Sequence, residues 1–173
     1  NEVLLQFTSS QPINEVLLDK IRKCITDFEP LLNDTDNDEI VYFYYYIRLL
    51  YEENIGNINV IDELCDKIDV LLASNKFIST TTRLLTVHLY RLKSYLHLRN
   101  YDKGLDLFKK DNSFYPLESN YNWFVLKEFE FKLYLNNQKI KEAYEVCDSV
   151  LANKFFKRHI EQLTEKWKIH HAY

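Results

Sequence analysis

Apolar side chains recur every three or four residues along nearly the whole chain, the signature of helices that bury one face. The first helix is expected from the start signal Ser9-Ser10-Pro12 to about Glu29. Its stripe is Val16, Leu17, Ile21, Cys24, Ile25 and Phe28, and Pro30 ends or kinks it. A polar loop, Asn33 to Glu39, leads into a second helix over about 38–54. There the run Tyr42 to Ile47 puts rings on every side, which predicts a helix packed between neighbours in the core rather than an aromatic binding platform. The third helix, about 59–74, has the cleanest period: Ile61, Leu64, Cys65, Ile68, Leu71 and Leu72 against an acidic opposite face. Ser79 or Thr80 caps a fourth helix, about 81–98. A break at Arg99-Asn100 precedes a fifth, about 101–110, and Ser119 caps a sixth, about 120–136. A seventh covers about 139–152, and an eighth runs from near Lys157 to Tyr173 with Ile160, Leu163 and Trp167 in register.

Composition supports the all-α reading. Two Gly and three Pro leave little material for tight turns or phosphate-binding loops, while 46% hydrophobic residues suffice for a core. A net charge of −4 gives no footprint for nucleic acid. The cysteines, at 24, 65 and 147, fall on apolar stripes and form no CxxC, which predicts buried, reduced thiols and a cytoplasmic setting. The longest apolar run, Ile40 to Leu50, is interrupted by Arg48 and too short for a bilayer, and no signal-peptide pattern is visible. The sequence opens at Asn1 without any Met, so it is expected to be part of a longer protein.

The chain also repeats. Tyr101-x-x-Gly104-x-x-x-Phe108 aligns with Ile140-x-x-Ala143-x-x-x-Cys147, 39 residues on, and Tyr95 aligns with Tyr134 at the same spacing. Ile61-x-x-Leu64-x-x-x-Ile68 is a weaker copy 40 residues earlier. A small residue such as Gly104 allows two helices to approach closely, and the ring at Phe108 fills the space beyond. The series Tyr95, Tyr101, Gly104, Phe108 and Pro116 resembles the tetratricopeptide repeat family, well over 95–116 and loosely over 38–152. These repeats are about five residues longer than the family's, and the second lacks the closing Pro.

The resemblance implies one domain over 1–173, an α-solenoid of antiparallel hairpins in a right-handed superhelix of about eight helices. The hairpins would be 38–75, 80–111 and 119–153, with a terminal helix 157–173. It also implies a concave groove for a protein or peptide segment. Carried over by position, that groove is lined by Tyr90, Lys93 and His97 from the fourth helix and by Glu128, Lys132 and Asn136 from the sixth. Lys93 and Lys132 would attract an acidic segment. The alternative for all six is ordinary polar residues on solvated helix faces.

Chemistry has little foothold. With Gly56 and Gly104 alone, no GxGxxG or GxxxxGK[ST] can be written, and no GxSxG exists. His170-His171 invites a metal, yet adjacent helical residues diverge by about 100° and no ligand stands at zinc spacing. His88 and His97 lie nine apart and project differently. The expectation is therefore a non-catalytic protein-binding scaffold with no cofactor, no metal and no direct nucleic-acid or membrane partner. Its uncovered terminal helix invites homodimerisation. A regulatory sensor segment of a larger protein is the second reading, and a helical enzyme domain the third.

Overall fold

The computed structural model describes residues 15–110, 115–118, 120–155 and 166–170. Among them every regular element is helical. The α-helices are α1 (Glu15–Phe28), α2 (Asp38–Asn54), α3 (Ile61–Ser74), α4 (Thr81–His97), α5 (Tyr101–Lys109), α6 (Tyr121–Asn136) and α7 (Ile140–Ala152). Residues 166–170 are also helical. No helix among the described residues is long and apolar enough to cross a membrane. The start signal at Ser9-Ser10-Pro12, the Ser119 cap and the first turns of the expected terminal helix lie outside the described residues. The chain divides into two compact units, Asn1–Tyr90 and Arg91–Tyr173, with the boundary inside α4.

In the first unit α1 stops at Phe28 because Pro30 cannot continue it, and Pro30 instead sits in the first turn of a 3₁₀ helix, Glu29–Asp34. Asn37 caps α2, its Oδ1 accepting from the backbone N–H of Glu39 at 3.0 Å. Tyr42, Leu49, Leu64, Cys65, Ile68, Leu72 and Val87 form the core, flanked by Tyr45, Tyr46 and Tyr90. The aromatic run of α2 thus feeds mainly the core, although Phe43 stays exposed. The Arg83 guanidinium pairs with Glu39 and lies over the Tyr42 ring at 4.2 Å. Burial pushes the Tyr42 phenol up to about 12, with Arg83 pulling the other way. Cys24 departs from expectation. It is exposed, because α1 fully buries Ile21 alone. Helix α3 begins at Ile61, two residues late, because a 3₁₀ turn, Ile58–Val60, comes first.

In the second unit α5 packs on α6, and α6 on α7. Gly104 is where α5 comes close: a Cβ placed on it would stand 2.6 Å from Leu133 Cδ2. Phe124, Phe131, Ala143, Val146, Cys147, Val150 and Trp167 form one core cluster. Asn120, one residue beyond the expected Ser119, caps α6 by accepting from the Asn122 N–H at 2.9 Å.

The ends of the helices share one local geometry. After α4, Asn100 N–H donates to Tyr95 O at 2.8 Å and Arg99 N–H to Leu96 O at 3.3 Å, with Arg99 at φ 58°. After α6, Lys139 N–H donates to Tyr134 O at 2.9 Å and Gln138 N–H to Leu135 O at 3.1 Å, with Gln138 at φ 59°. Asn57, Gly56, Glu52 and Glu53 repeat the pattern after α2, with Gly56 at φ 76°. This is one left-handed helix stop used three times. Arg99 and Gln138 are 39 residues apart and Gly56 and Arg99 are 43. The three-residue turn Ile58–Val60 accounts for the difference from the 40-residue spacing of the following stripe.

A second device recurs 78 residues apart. Asn75 and Asn153 each open an Asn-Lys-Phe turn, where the Asn Oδ1 accepts from the Phe N–H at 2.9 and 2.8 Å. Each Asn Nδ2 also reaches back across its hairpin, Asn75 to Asp38 Oδ2 at 2.7 Å and Asn153 to Glu118 O at 3.1 Å. The turns hold Phe77 and Phe155 at the surface.

Candidate functional site

Three of the six nominated residues meet in the second unit. His97 ends α4, while Lys132 and Asn136 stand one turn apart on α6. With Leu96, Arg99 and Tyr101 they line an open depression of about 620 Å³. The left-handed stop after α4 places Arg99 there: it turns the chain sharply between two helices and leaves the guanidinium exposed. A β-carbon in this conformation costs about 1 kcal/mol relative to Gly, which Gly56 at the equivalent position avoids. Among the described residues no hydrogen bond or ion pair engages the Arg99 side chain, and no carboxylate lines the depression.

Glu128, also nominated, holds Lys132 in place. Its carboxylate accepts from Lys132 Nζ and Lys166 Nζ, each at 2.6 Å. Burial works to raise the Glu128 pKa, but the two lysine hydrogen bonds outweigh it and hold the carboxyl below its ordinary value. The triad carries one positive charge in excess. Asn136 Nδ2 donates to Lys132 O at 2.7 Å, which fixes the amide at the edge of the depression.

The other two nominated residues stand elsewhere. Lys93 is exposed overall and does not line the depression, and desolvation lowers the pKa of its ammonium. Tyr90 is half-buried against the core of the first unit, where burial raises its phenol pKa. Sequence reasoning missed Arg99 and Tyr101 as lining residues. The sequence pattern sets Arg99 in a break and Tyr101 on a packing stripe. The available signal was an Arg where a helix stop ordinarily takes Gly.

Two further cavities among the described residues are apolar. One, about 260 Å³, lies between α1 and α2 and is lined by Cys24, Ile25, Phe28, Ile40, Phe43, Tyr44 and Ile47. The other, about 290 Å³, is lined by Phe131, Leu135, Ile140, Ala143, Tyr144 and His170. His170 lies 4.6 Å from the Phe131 ring, burial lowers its pKa, and its Nε2 is buried without a hydrogen-bond partner. That nitrogen is closed to solvent, so a ligand in the cavity would not reach it without a rearrangement. Among the described residues no three His, Cys, Asp or Glu side chains gather as metal ligands would.

Charge divides unevenly. Residues 1–90 carry 15 acidic against 7 basic side chains, and residues 91–173 carry 11 against 15. The depression belongs to the basic unit. Compared with family models, curated proteins and solved structures, the chain matches none.

Proposed function

We propose that this is a non-catalytic interaction domain, a divergent relative of the tetratricopeptide repeats. In this reading its hairpins stack as a right-handed solenoid, and a protein or peptide segment binds in the depression bordered by His97, Arg99, Lys132 and Asn136. The observation that carries the reading is the convergence of His97, Lys132 and Asn136, nominated from sequence on two separate helices, around one open polar concavity. The recurring helix stops and Asn-Lys-Phe turns support the repeat reading independently of helix-face composition. An unengaged guanidinium and an excess of lysines favour a segment bearing carboxylates.

The test is affinity capture from the native lysate with wild type and an Arg99→Ala/Lys132→Gln variant in parallel, followed by mass spectrometry. A partner held by wild type and weakened about tenfold in the variant is the expected result, about 1.4 kcal/mol of binding. Equal retention by both proteins would remove the depression from the reading.

A further inference from the structure

Resting on the depression as a peptide site, the distribution of charge names an occupant. The acidic unit carries a cluster where the 3₁₀ helix Glu29–Asp34 passes into α2: Asp34, Asp36, Asp38 and Glu39. Two of these are engaged: Asp38 accepts from Asn75, and Glu39 pairs with Arg83. Asp34 and Asp36 are exposed, and among the described residues no hydrogen bond or ion pair holds either carboxylate. The backbone at Thr35 (φ −113°, ψ 130°) and Asn37 (φ −92°, ψ 96°) is extended. The side chains of Thr35 and Asn37 are spent on local N–H groups, Thr35 on that of Asn37 and Asn37 on that of Glu39. What remains is a short extended link, 35–37, with two unpaired carboxylates, Asp34 at its entrance and Asp36 within it. The depression offers an unpaired guanidinium, a lysine from a cationic triad and, among the described residues, no carboxylate.

We propose that the depression receives the acidic link of a second copy of this chain, with Arg99 and Lys132 facing Asp34 and Asp36. The surfaces joined are different on the two copies, so the contact is heterologous: it propagates head to tail into a chain, or closes into a ring. It differs from dimerisation through the terminal helix, whose Trp167 is 1% exposed and packed against Phe131. Because the charges lie at the surface, the association is weak and sensitive to salt.

Sedimentation velocity on the full chain tests this at about 0.01 M and about 1 M salt, where the screening length is roughly 30 Å and 3 Å. Wild type is expected to associate with rising concentration at low salt and at least about tenfold more weakly at high salt. Asp34→Asn/Asp36→Asn and Arg99→Ala/Lys132→Gln should each be monomeric alone. Mixed, they should form dimers of one copy each and nothing larger, since just one intact link and one intact depression remain. Monomeric wild type at low salt, or association that either variant retains, overturns the proposal. Titration with the synthetic segment Leu31–Ile40 separates the two levels of inference. Binding to wild type and loss in Arg99→Ala/Lys132→Gln, beside a monomeric chain, would keep the peptide site while discarding the second copy. If the segment also fails to bind, the carboxylate preference falls with it.

Discussion

Replacing Gly104 by Ala sets two well-characterised effects against each other. In a helix interior, Gly is less favourable than Ala by about 0.5–1 kcal/mol, so the substitution should stabilise α5 if the site were open. Here the new methyl would stand 2.6 and 2.9 Å from the two Cδ atoms of Leu133. The far end of a Leu normally yields cheaply, but Leu133 is 0% exposed and its surroundings are packed. Overpacking a filled core costs about 1–3 kcal/mol. The balance is a net loss of about 1 kcal/mol, or roughly 4–8 °C if the second unit melts cooperatively by itself. Thermal melts followed by circular dichroism would measure it, as a double-mutant cycle with Leu133→Val. Shortening Leu133 removes the clash, so in that background Gly104→Ala should cost little or become stabilising. A higher Tm for Gly104→Ala alone, or an equal cost in both backgrounds, would refute the close approach of α5 and α6 at this point.

Two further outcomes follow from titratable groups. Glu128 has a folded pKa below its ordinary value near 4.5, so its contribution is complete above that value and is lost as pH falls through the folded one. The stability gap between wild type and Glu128→Gln should therefore hold steady near neutrality and close in acid. A gap that widens below pH 4 would contradict the triad. Cys24 should react quickly with Ellman's reagent while Cys65 and Cys147 wait for unfolding, since both are buried and burial pushes the Cys147 thiol up to about 11. At pH 8 about one Cys147 in a thousand is ionised. More than a single fast thiol per chain, or any fast thiol in Cys24→Ser, would contradict this.

Much of the helical layout was legible because it follows from periodicity and capping. Helix α2 spans 38–54 as its pattern predicts, and the break at Arg99-Asn100 stands where the apolar stripe changes phase. Boundaries failed where neighbouring residues compete for one role. Ser119 and Asn120 both suit an N-cap, and only the path of the chain selects Asn120. Cys24 occupies a stripe position, but a stripe says which side of a helix is apolar and not whether a neighbour covers it. Tyr90 and Lys93, which the resemblance sets beside His97, do not line the depression: Tyr90 packs on the core of the first unit, and Lys93 stands a turn earlier on α4 than His97. The Asn-Lys-Phe turns lie outside the small and aromatic positions of the helix faces, where the sequence pattern recurs. The roles of Asn75 and Asn153 depend on hydrogen bonds to residues far back in the chain, which no local window contains.

Those two asparagines have a mechanical consequence. Each ties the end of one hairpin's second helix to the start of its first, closing 37 residues in the Asn75–Asp38 case and 35 in the Asn153–Glu118 case. When the chain is pulled from its ends, tension reaches such a tie before it can peel the helices apart. While the tie holds, the segment behind it adds no length. Once it and the apolar contacts behind it part, roughly 120 Å of extended chain becomes available. Under load, these hairpins would lengthen in steps, with an asparagine amide as the latch on each.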